Sequence, residues 1–283
     1  MTLGTHAAYL MRSDKKVYAW GYNYQNCLST SSNLMSECRE VPELSQLEVT
    51  HVAARGEERF FVDKNAKAYE YVQDEFELDW SLEPVDFGGR VAIKSIAASY
   101  EFTLFLSTSG QIYGRGSNRK GELGLGRTFG RELTEPVQIP YFAKNSKEMI
   151  ESVSVGMAHA VAKSKLGYVY TWGDNCYQQV TSKAVPHLAT PEPLENEEGK
   201  MKVLQAVAGA RTTYLLLDHI KTVALGTSSS FPYQKGVFLY PLELIKVSLF
   251  SFSKPQVAKR LQRSSCAPAG RPNCQSCTST QLT

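Results

Sequence analysis

The chain has 283 residues, of which 42% are hydrophobic and 21% charged, so it has the composition of a soluble protein that can bury a sizeable core. Its net charge is +3, but residues 244–283 hold six basic and no acidic residues, which leaves −3 for residues 1–243. An acidic body argues against direct nucleic-acid binding, which depends on clustered Lys and Arg. Six scattered cysteines and the lack of a secretory signal predict an intracellular protein of the cytoplasm or nucleus, with mitochondria left open.

The strongest pattern along the chain is a strand that ends in a turn and recurs about every fifty residues. Clear copies read VYAWGYN, IYGRGSN and VYTWGDN, and weaker copies read AYEYVQD and TVALGTS. Glycine at the turn predicts a positive φ or a close approach to a neighbouring chain segment. The turn positions, with valine in the second copy, are Gly21, Val72, Gly116, Gly173 and Gly226.

Two further landmarks keep the same register. A second strand with a small-residue pivot precedes each turn, and His6 and His159 lie beside two of these pivots, so we expect both histidines to hydrogen-bond backbone within their own repeat. A proline after each of three turns is expected to enter the following strand, because proline is tolerated at the start of a strand. These prolines are Pro42, Pro136 and Pro193.

Apolar residues alternate within each unit, as at Leu104 and Leu106 or Val153 and Val155, which predicts short β-strands. Trp20 and Trp172 share one repeat position, which predicts packing in the core or between units. A single small sheet cannot bury both faces alone. We therefore predict an all-β chain in which sheets stack radially, as in a β-propeller.

The segment from Ile93 to Ile139, with its GELGLG hairpin at Gly121–Gly126, resembles a nearly complete repeat of the regulator-of-chromosome-condensation family. Val153–Asn175 resembles the same repeat, with His159 at the family's histidine position. The resemblance covers roughly residues 1–230 and implies a propeller that the family normally closes with seven blades. Five repeats of about fifty residues are visible here, so we expect an incomplete or open ring.

The repeats are expected at about residues 1–45, 46–88, 89–142, 143–197 and 198–230, followed by a divergent, partly disordered segment at 231–283. The apolar stretch Val237–Phe252 is too short for a comfortable membrane span, so it predicts a strand pair of a sixth unit. Cys266, Cys274 and Cys277 in the basic tail are expected to be free thiols, because a structural zinc site needs four ligands.

No motif in the chain predicts a catalytic residue, a cofactor or a metal site. Arg127-Thr128 follows the GELGLG glycines in place of Lys-Ser/Thr, so we expect a hairpin turn there and not a phosphate-binding loop. The five histidines have no metal-binding spacing, and Cys27 and Cys176 follow repeat turns as framework positions.

An acidic and aromatic segment in the second repeat is the one candidate partner patch. Its alternating charged and apolar residues predict an edge strand guarded by charge, and the alternative hypothesis is a patch that docks a basic partner. The residues are Asp74, Glu75, Phe76, Glu77, Asp79 and Trp80.

The leading functional hypothesis is a non-catalytic protein–protein interaction scaffold or adaptor that presents propeller loops. The resemblance implies protein partners such as a small GTPase or a ubiquitin-ligase component. The acidic body and the short apolar stretch predict neither direct nucleic-acid binding nor a membrane span. Guanine-nucleotide exchange on a small GTPase is the first alternative, since the family's founding member acts in this way on Ran. A truncated, non-functional fragment is the second alternative.

Overall fold

The computed structural model describes residues 2–3, 7–22, 34–55, 58–73, 80–144, 149–194, 203–217, 221–226 and 237–241. Within these ranges the chain contains twenty strands and two short helices. The strands form five sheets of four strands, and each sheet is an antiparallel meander in chain order. The prediction of an all-β chain with five repeated units is therefore confirmed.

The first three sheets take up the chain as far as residue 138. Sheet 1 contains β1 (Thr2–Leu3), β2 (Ala7–Met11), β3 (Val17–Tyr22) and β4 (Leu34–Glu40). After helix α1 (Pro42–Gln46), sheet 2 contains β5 (His51–Arg55), β6 (Glu58–Val62), β7 (Ala68–Gln73) and β8 (Trp80–Pro84). Sheet 3 contains β9 (Ile93–Ala98), β10 (Phe102–Ser107), β11 (Ile112–Asn118) and β12 (Phe129–Gln138).

The last two sheets follow helix α2 (Pro140–Lys144). Sheet 4 contains β13 (Ile150–Val155), β14 (His159–Ser164), β15 (Val169–Asp174) and β16 (His187–Pro193). Sheet 5 contains β17 (Gln205–Ala208), β18 (Thr212–Leu216), β19 (Lys221–Gly226) and β20 (Val237–Pro241).

Neighbouring sheets meet through their first strands, because β1 contacts β5, β5 contacts β9, β9 contacts β13, and β13 contacts β17. Each space between two neighbouring sheets, here called a seam, is filled by one apolar cluster. Phe61 and Tyr71 belong to the cluster of seam 1–2, Phe105 to that of seam 2–3, Trp172 to that of seam 3–4 and Leu215 to that of seam 4–5. Burial of each large side chain stabilises the fold by about 1.5–3 kcal/mol. Because these side chains lie at the seams, most of the hydrophobic stabilisation comes from contacts between sheets.

The repeat glycine has a positive φ in each sheet that carries it, with values of 126° at Gly21, 109° at Gly116, 98° at Gly173 and 107° at Gly226. A Cβ on Gly173 would lie 2.5 Å from the carbonyl oxygen of Ala158 and 2.8 Å from the Cα of His159. The third strand therefore approaches the start of the second strand more closely than a side chain allows. The pairing of the third and fourth strands shifts register at this glycine in sheets 1, 3 and 4.

Sheet 2 has Val72 at this position, and its strands β7 and β8 pair without a register shift from Tyr69–Pro84 to Gln73–Trp80. Val72 is absent from the residues with positive φ, and its side chain is 41% exposed. The substitution therefore changes local geometry, because a β-branched residue fits regular strand backbone and not the strained turn.

The three prolines do not share one structural position, which corrects the expectation that each enters a strand. Pro136 lies inside β12 and Pro193 ends β16, whereas Pro42 is the first residue of helix α1. Proline suits the first helical position because the backbone N–H that it lacks has no helical partner there. Pro140 opens helix α2 in the same way, so Pro42 corresponds to Pro140.

Sheet 5 moves the expected boundary of the last repeat. The fifth repeat was expected to end at residue 230, but Val237–Pro241 pairs with Lys221–Leu225 as the fourth strand of sheet 5. This strand completes sheet 5 and does not begin a sixth unit. A strand was expected within Val237–Phe252 but was assigned to a sixth unit, because residues 227–236, which separate β19 from β20, carry no recognisable landmark of the repeat.

Replacement of Gly173 by alanine is expected to destabilise the protein by about 2–4 kcal/mol, since the new Cβ would both strain φ and collide with the Ala158 carbonyl. Thermal unfolding followed by circular dichroism measures this effect. Gly130→Ala is the matched control, because nothing lies within 4 Å of a Cβ built at Gly130. Equal melting temperatures for the two variants would contradict the role assigned to Gly173.

Candidate functional site

The turns that connect the strands lie at the two ends of the sheets, here called face A and face B. Face A holds the turns between first and second strands, and its turns touch across seams: the Met157 N–H donates to the Ala210 carbonyl at 3.0 Å. Face B holds the turns between second and third strands together with the links between sheets. There the Lys94 ammonium donates to the Glu151 carbonyl at 2.6 Å, across seam 3–4.

Large apolar side chains are exposed at turns on both faces. On face A, Tyr100 of sheet 3 and Met157 of sheet 4 are 73% and 50% exposed. They occupy equivalent positions, because each lies two residues before the residue that pairs with the repeat glycine. On face B, Leu166 and Tyr168 are exposed in the turn between β14 and β15. These four side chains, two on each face, are the candidate interaction surface of face A and of face B.

The residue before the repeat glycine, which is tryptophan in sheets 1 and 4, is here called the tryptophan position. In sheet 4 it faces the seam with the preceding sheet. Trp172 is fully buried, and its indole Nε1 donates a hydrogen bond of 2.7 Å to the carbonyl of Glu122, in the connection between β11 and β12. Trp20 pairs with Ala8 just as Trp172 pairs with Ala160, yet Trp20 is only partly buried. Sheet 1 has no earlier sheet among the described residues, which accounts for this difference.

The GELGLG segment is a turn that spans seam 3–4. Gly121, Gly124 and Gly126 have φ values of 80°, 63° and 79°, and the Gly126 N–H donates to the Ala189 carbonyl of sheet 4. A Cβ on Gly121 would lie 2.6 Å from the Cα of Ala189. The glycines therefore allow close contact with the next sheet.

An ion-pair network that the sequence analysis did not predict occupies seam 2–3. Arg115 lies at the tryptophan position of sheet 3, and its guanidinium contacts Glu70 at 2.6 Å and Glu58 at 3.1 Å. Arg55 binds Glu58 at 2.5 Å and donates to the Glu101 carbonyl. The signal that could have revealed this network is Arg115, which stands in IYGRG where the clear copies VYAWG and VYTWG have tryptophan.

The environment of these groups favours their charged forms. Burial acts against ionisation of Arg55 and Glu58, but their mutual hydrogen bond and charge outweigh it, so the pKa of Arg55 is raised and the pKa of Glu58 is lowered. The bidentate pair of Arg55 and Glu58 lies within sheet 2, and the contacts of Arg115 with Glu58 and Glu70 join sheet 3 to it. We regard the network as a framework element rather than a ligand site.

His159 contacts the next sheet, which corrects the expectation of a backbone hydrogen bond within its own repeat. Its Nε2 lies 3.1 Å from Oγ1 of Thr213, and that hydroxyl donates to the Gln179 carbonyl at 2.7 Å. The hydroxyl proton is thus engaged, so Nε2–H of His159 is the donor. His6, the other histidine of this expectation, lies outside the described residues.

The acidic and aromatic segment Asp74–Asp79 also lies outside the described residues. Trp80 begins β8, but its side chain is likewise outside the description. The proposed partner patch therefore stays a prediction.

The described residues bring together no three His, Cys, Asp or Glu side chains that could hold a metal ion. Cys38 and Cys176 are exposed and form no disulfide among the described residues, and the other four cysteines lie outside the described ranges. In the same ranges, no helix has both the length and the apolar character needed to cross a membrane.

Burial of the His159 imidazole lowers its pKa from 6.5 to about 4, against a smaller opposing effect of Asp174. Between these two values the unfolded chain binds a proton at this residue and the folded chain does not. The contribution of His159 to the free energy of unfolding is therefore fully present above about pH 6.5. It falls as the pH decreases, by on the order of 2 kcal/mol between pH 7 and pH 5.

His159→Gln is expected to reduce the change of the melting temperature between pH 5 and pH 7, because glutamine keeps a hydrogen-bond donor and does not titrate. His187→Gln, which replaces an exposed histidine of the same sheet, serves as the control and should keep the slope of the parent protein. An unchanged slope in His159→Gln would refute the assignment.

Glu122 of sheet 3 and Gln179 of sheet 4 occupy equivalent positions, since each accepts a backbone N–H from the residue two before it. The Gln179 amide also donates to Asp174, whereas Oε1 of Glu122 is buried and without a hydrogen-bond partner among the described residues. Burial raises the pKa of Glu122. The folded chain therefore retains a proton that the unfolded chain has lost, and stability decreases as the pH rises above the ordinary carboxyl pKa of 4.5.

Glu122→Gln should raise stability by about 1 kcal/mol at pH 8 and by less at pH 5, because an amide can donate where the carboxylate cannot. Denaturant unfolding at both pH values measures this difference. Glu135→Gln, an exposed change on β12, should have no effect at either pH. Destabilisation by Glu122→Gln at pH 8 would count against this explanation.

Two family models match the middle of the chain, and curated relatives match between about a third and a half of it. The family described as regulator of chromosome condensation (RCC1) repeat matches residues 109–162, and a second model of the same description matches residues 93–122. The serine/threonine-protein kinase Nek9 of Xenopus laevis is 26% identical over 135 residues, which cover 48% of this chain and 14% of that protein. A secretion-regulating guanine nucleotide exchange factor of Bos taurus is 33% identical over 82 residues, which cover 29% of this chain and 17% of that protein. The chain thus spans only a small part of these relatives.

Solved structures share the arrangement of sheets. Human WBSCR16 is similar with a TM-score of 0.70 and 18% identity, over 87% of this chain and 67% of that one. Yeast RCC1 (Prp20), in its complex with Kap60, is similar with a TM-score of 0.66 and 19% identity, over 82% of this chain and 57% of that one. With these matches and five sheets joined by equivalent seams, the chain is an RCC1-like repeat protein with the fold of an incomplete or open β-propeller.

Proposed function

We propose that this chain is a non-catalytic interaction scaffold that binds partner proteins through the turns of its propeller. The observation that carries the proposal is the pair Tyr100 and Met157, two large apolar side chains exposed at equivalent turns of neighbouring sheets on face A. Aromatic residues and methionine are enriched in the centres of protein interfaces. At this exposure, Tyr100 and Met157 are not packed into the core of the described part of the chain.

The frame beneath these turns supports the same proposal. The backbone of Met157 is tied to Ala210 across seam 4–5, and the Glu101 carbonyl beside Tyr100 is tied to Arg55 across seam 2–3. A partner would therefore meet turns whose backbones are already ordered. Binding to ordered turns avoids part of the entropic cost of association, which makes them suitable anchors.

Regulation of a small GTPase is the finer alternative. One relative is named a secretion-regulating guanine nucleotide exchange factor, and it matches 29% of this chain. Exchange requires no covalent chemistry, so a non-catalytic chain can be a scaffold or an exchange factor. A small GTPase or a ubiquitin-ligase component within the cell is accordingly the class of partner we infer.

A photo-crosslinking amino acid at Tyr100 or Met157 is expected to yield specific covalent adducts in cells, because these side chains would lie inside the interface. Adducts are resolved by gel mobility and identified by mass spectrometry. Leu166 tests face B in the same way, and exposed Glu37, on the outer strand β4 of sheet 1, provides the background. Adducts no more abundant at any of the three sites than at Glu37 would reject the interaction scaffold.

Release of labelled GDP from a panel of purified small GTPases separates the two functions. For a scaffold we expect no acceleration by the folded full chain. Acceleration of at least tenfold, lost in the variant Tyr100→Glu with Met157→Glu, would replace the scaffold by the exchange factor and assign the activity to face A.

A further inference from the structure

A shallow groove of about 420 Å³ runs beside the outer strand of sheet 3. Its floor is apolar and its rim is basic. The residues that line it are Leu125, Arg127, Thr128, Phe129, Arg131, Leu133 and Val137. None of them belongs to the interaction surface on face A or face B.

The apolar residues of the groove follow a regular spacing. Phe129, Leu133 and Val137 are four residues apart on β12, and they pair with Asn118, Gly116 and Gly114, which are two residues apart on β11. The bulges between these pairs accommodate the additional residues of β12. They thus set out a row of apolar side chains along about 10 residues of strand, which is the length of an extended recognition segment.

The charge of the rim is uncompensated. Arg127 and Arg131 are exposed, and neither side chain pairs with a carboxylate in the described part of the chain. The nearest acidic residue in sequence, Glu132, lies 3.5 Å from Arg55 on the side of seam 2–3 and does not line the groove. The groove therefore has two guanidinium groups available for carboxylates, which are their preferred partners.

The location of the groove favours a peptide over a small molecule. A small ligand is normally enclosed over most of its surface, whereas this groove is open along the strand. β12 is the outer strand of sheet 3 and has β11 as its one strand neighbour in the described ranges, so an extended segment can approach along its length. The ladder itself is guarded by Pro136 and by the bulges, so side chains rather than main-chain pairing would give the affinity.

We infer that this groove binds an extended segment of a partner protein in which apolar side chains alternate with aspartate or glutamate. The apolar side chains pack on Phe129, Leu133 and Val137, and the carboxylates pair with Arg127 and Arg131. This inference rests on the proposed scaffold function and adds a second binding surface to it, along the outer strand of sheet 3.

Fluorescence polarisation with the full chain and synthetic nonapeptides tests the inference. One labelled peptide alternates leucine with glutamate, and a matched peptide carries lysine in place of each glutamate. We expect the acidic peptide to bind at least tenfold more tightly than the basic one, and this preference should weaken as salt is added. The variant Arg127→Glu with Arg131→Glu should reverse the preference, while Arg90→Glu should leave it unchanged.

A second variant tests the apolar floor. Leu133→Ser should weaken binding of the acidic peptide at least fivefold, with Thr134→Ser on the same strand as the control. Circular dichroism melts confirm that each variant is folded. Equal affinity for the two peptides, or an equal loss in Arg90→Glu and in the groove variant, would overturn the inference. Because purified chain and synthetic peptides are used, that failure is distinct from the absence of cross-linked partners, which would reject the scaffold function.

Discussion

Burial between neighbouring sheets is the constraint on which the rest of the structure depends. A four-stranded meander of short strands has two faces and little interior, so it gains stability only when another sheet covers it. The four apolar clusters lie at the four seams, and the first strands of successive sheets are in contact. The GELGLG turn, whose Gly121 lies against Ala189 of the next sheet, serves this packing.

The seams are built to one plan but differ in chemistry. Seam 3–4 holds Trp172 in an apolar setting, whereas the equivalent place in seam 2–3 holds Arg115 between two glutamates. Seam 4–5 adds the His159–Thr213 hydrogen bond. Variation of this kind allows each sheet to accept one neighbour and reject others, because an arginine without its carboxylates, or a tryptophan without its pocket, would be strongly destabilised.

Much of the fold was predictable because the residues that recur in each repeat are those that the backbone conformation requires. The positive φ of Gly173 requires glycine, so the turn positions could be located from sequence alone. What could not be predicted depends on neighbours in space. The bond of His159 to Thr213 joins residues of different repeats, and Pro42 resembles Pro193 in sequence although it opens a helix. Strand β20 was expected but assigned to a sixth unit, since its pairing is set by β19 and not by a local motif.

The candidate surfaces were harder still to foresee. Tyr100 and Met157 are unremarkable in sequence, because only the fold shows that two turns about fifty residues apart lie side by side. The groove beside β12 likewise depends on bulges that bring Phe129, Leu133 and Val137 into one row. Binding surfaces on repeat proteins combine side chains from separate units, and for that reason local sequence patterns describe the frame better than the function.

The complete burial of Trp172 also gives the molecule an intrinsic optical marker. Its indole has an apolar surrounding and a single backbone acceptor, while Trp20 at the matching place in sheet 1 is partly open to solvent. Emission from Trp172 should be blue-shifted and poorly accessible to dissolved quenchers as long as sheets 3 and 4 remain in contact. Separation of those two sheets would therefore be visible in the fluorescence of the unlabelled chain before the strands themselves are lost.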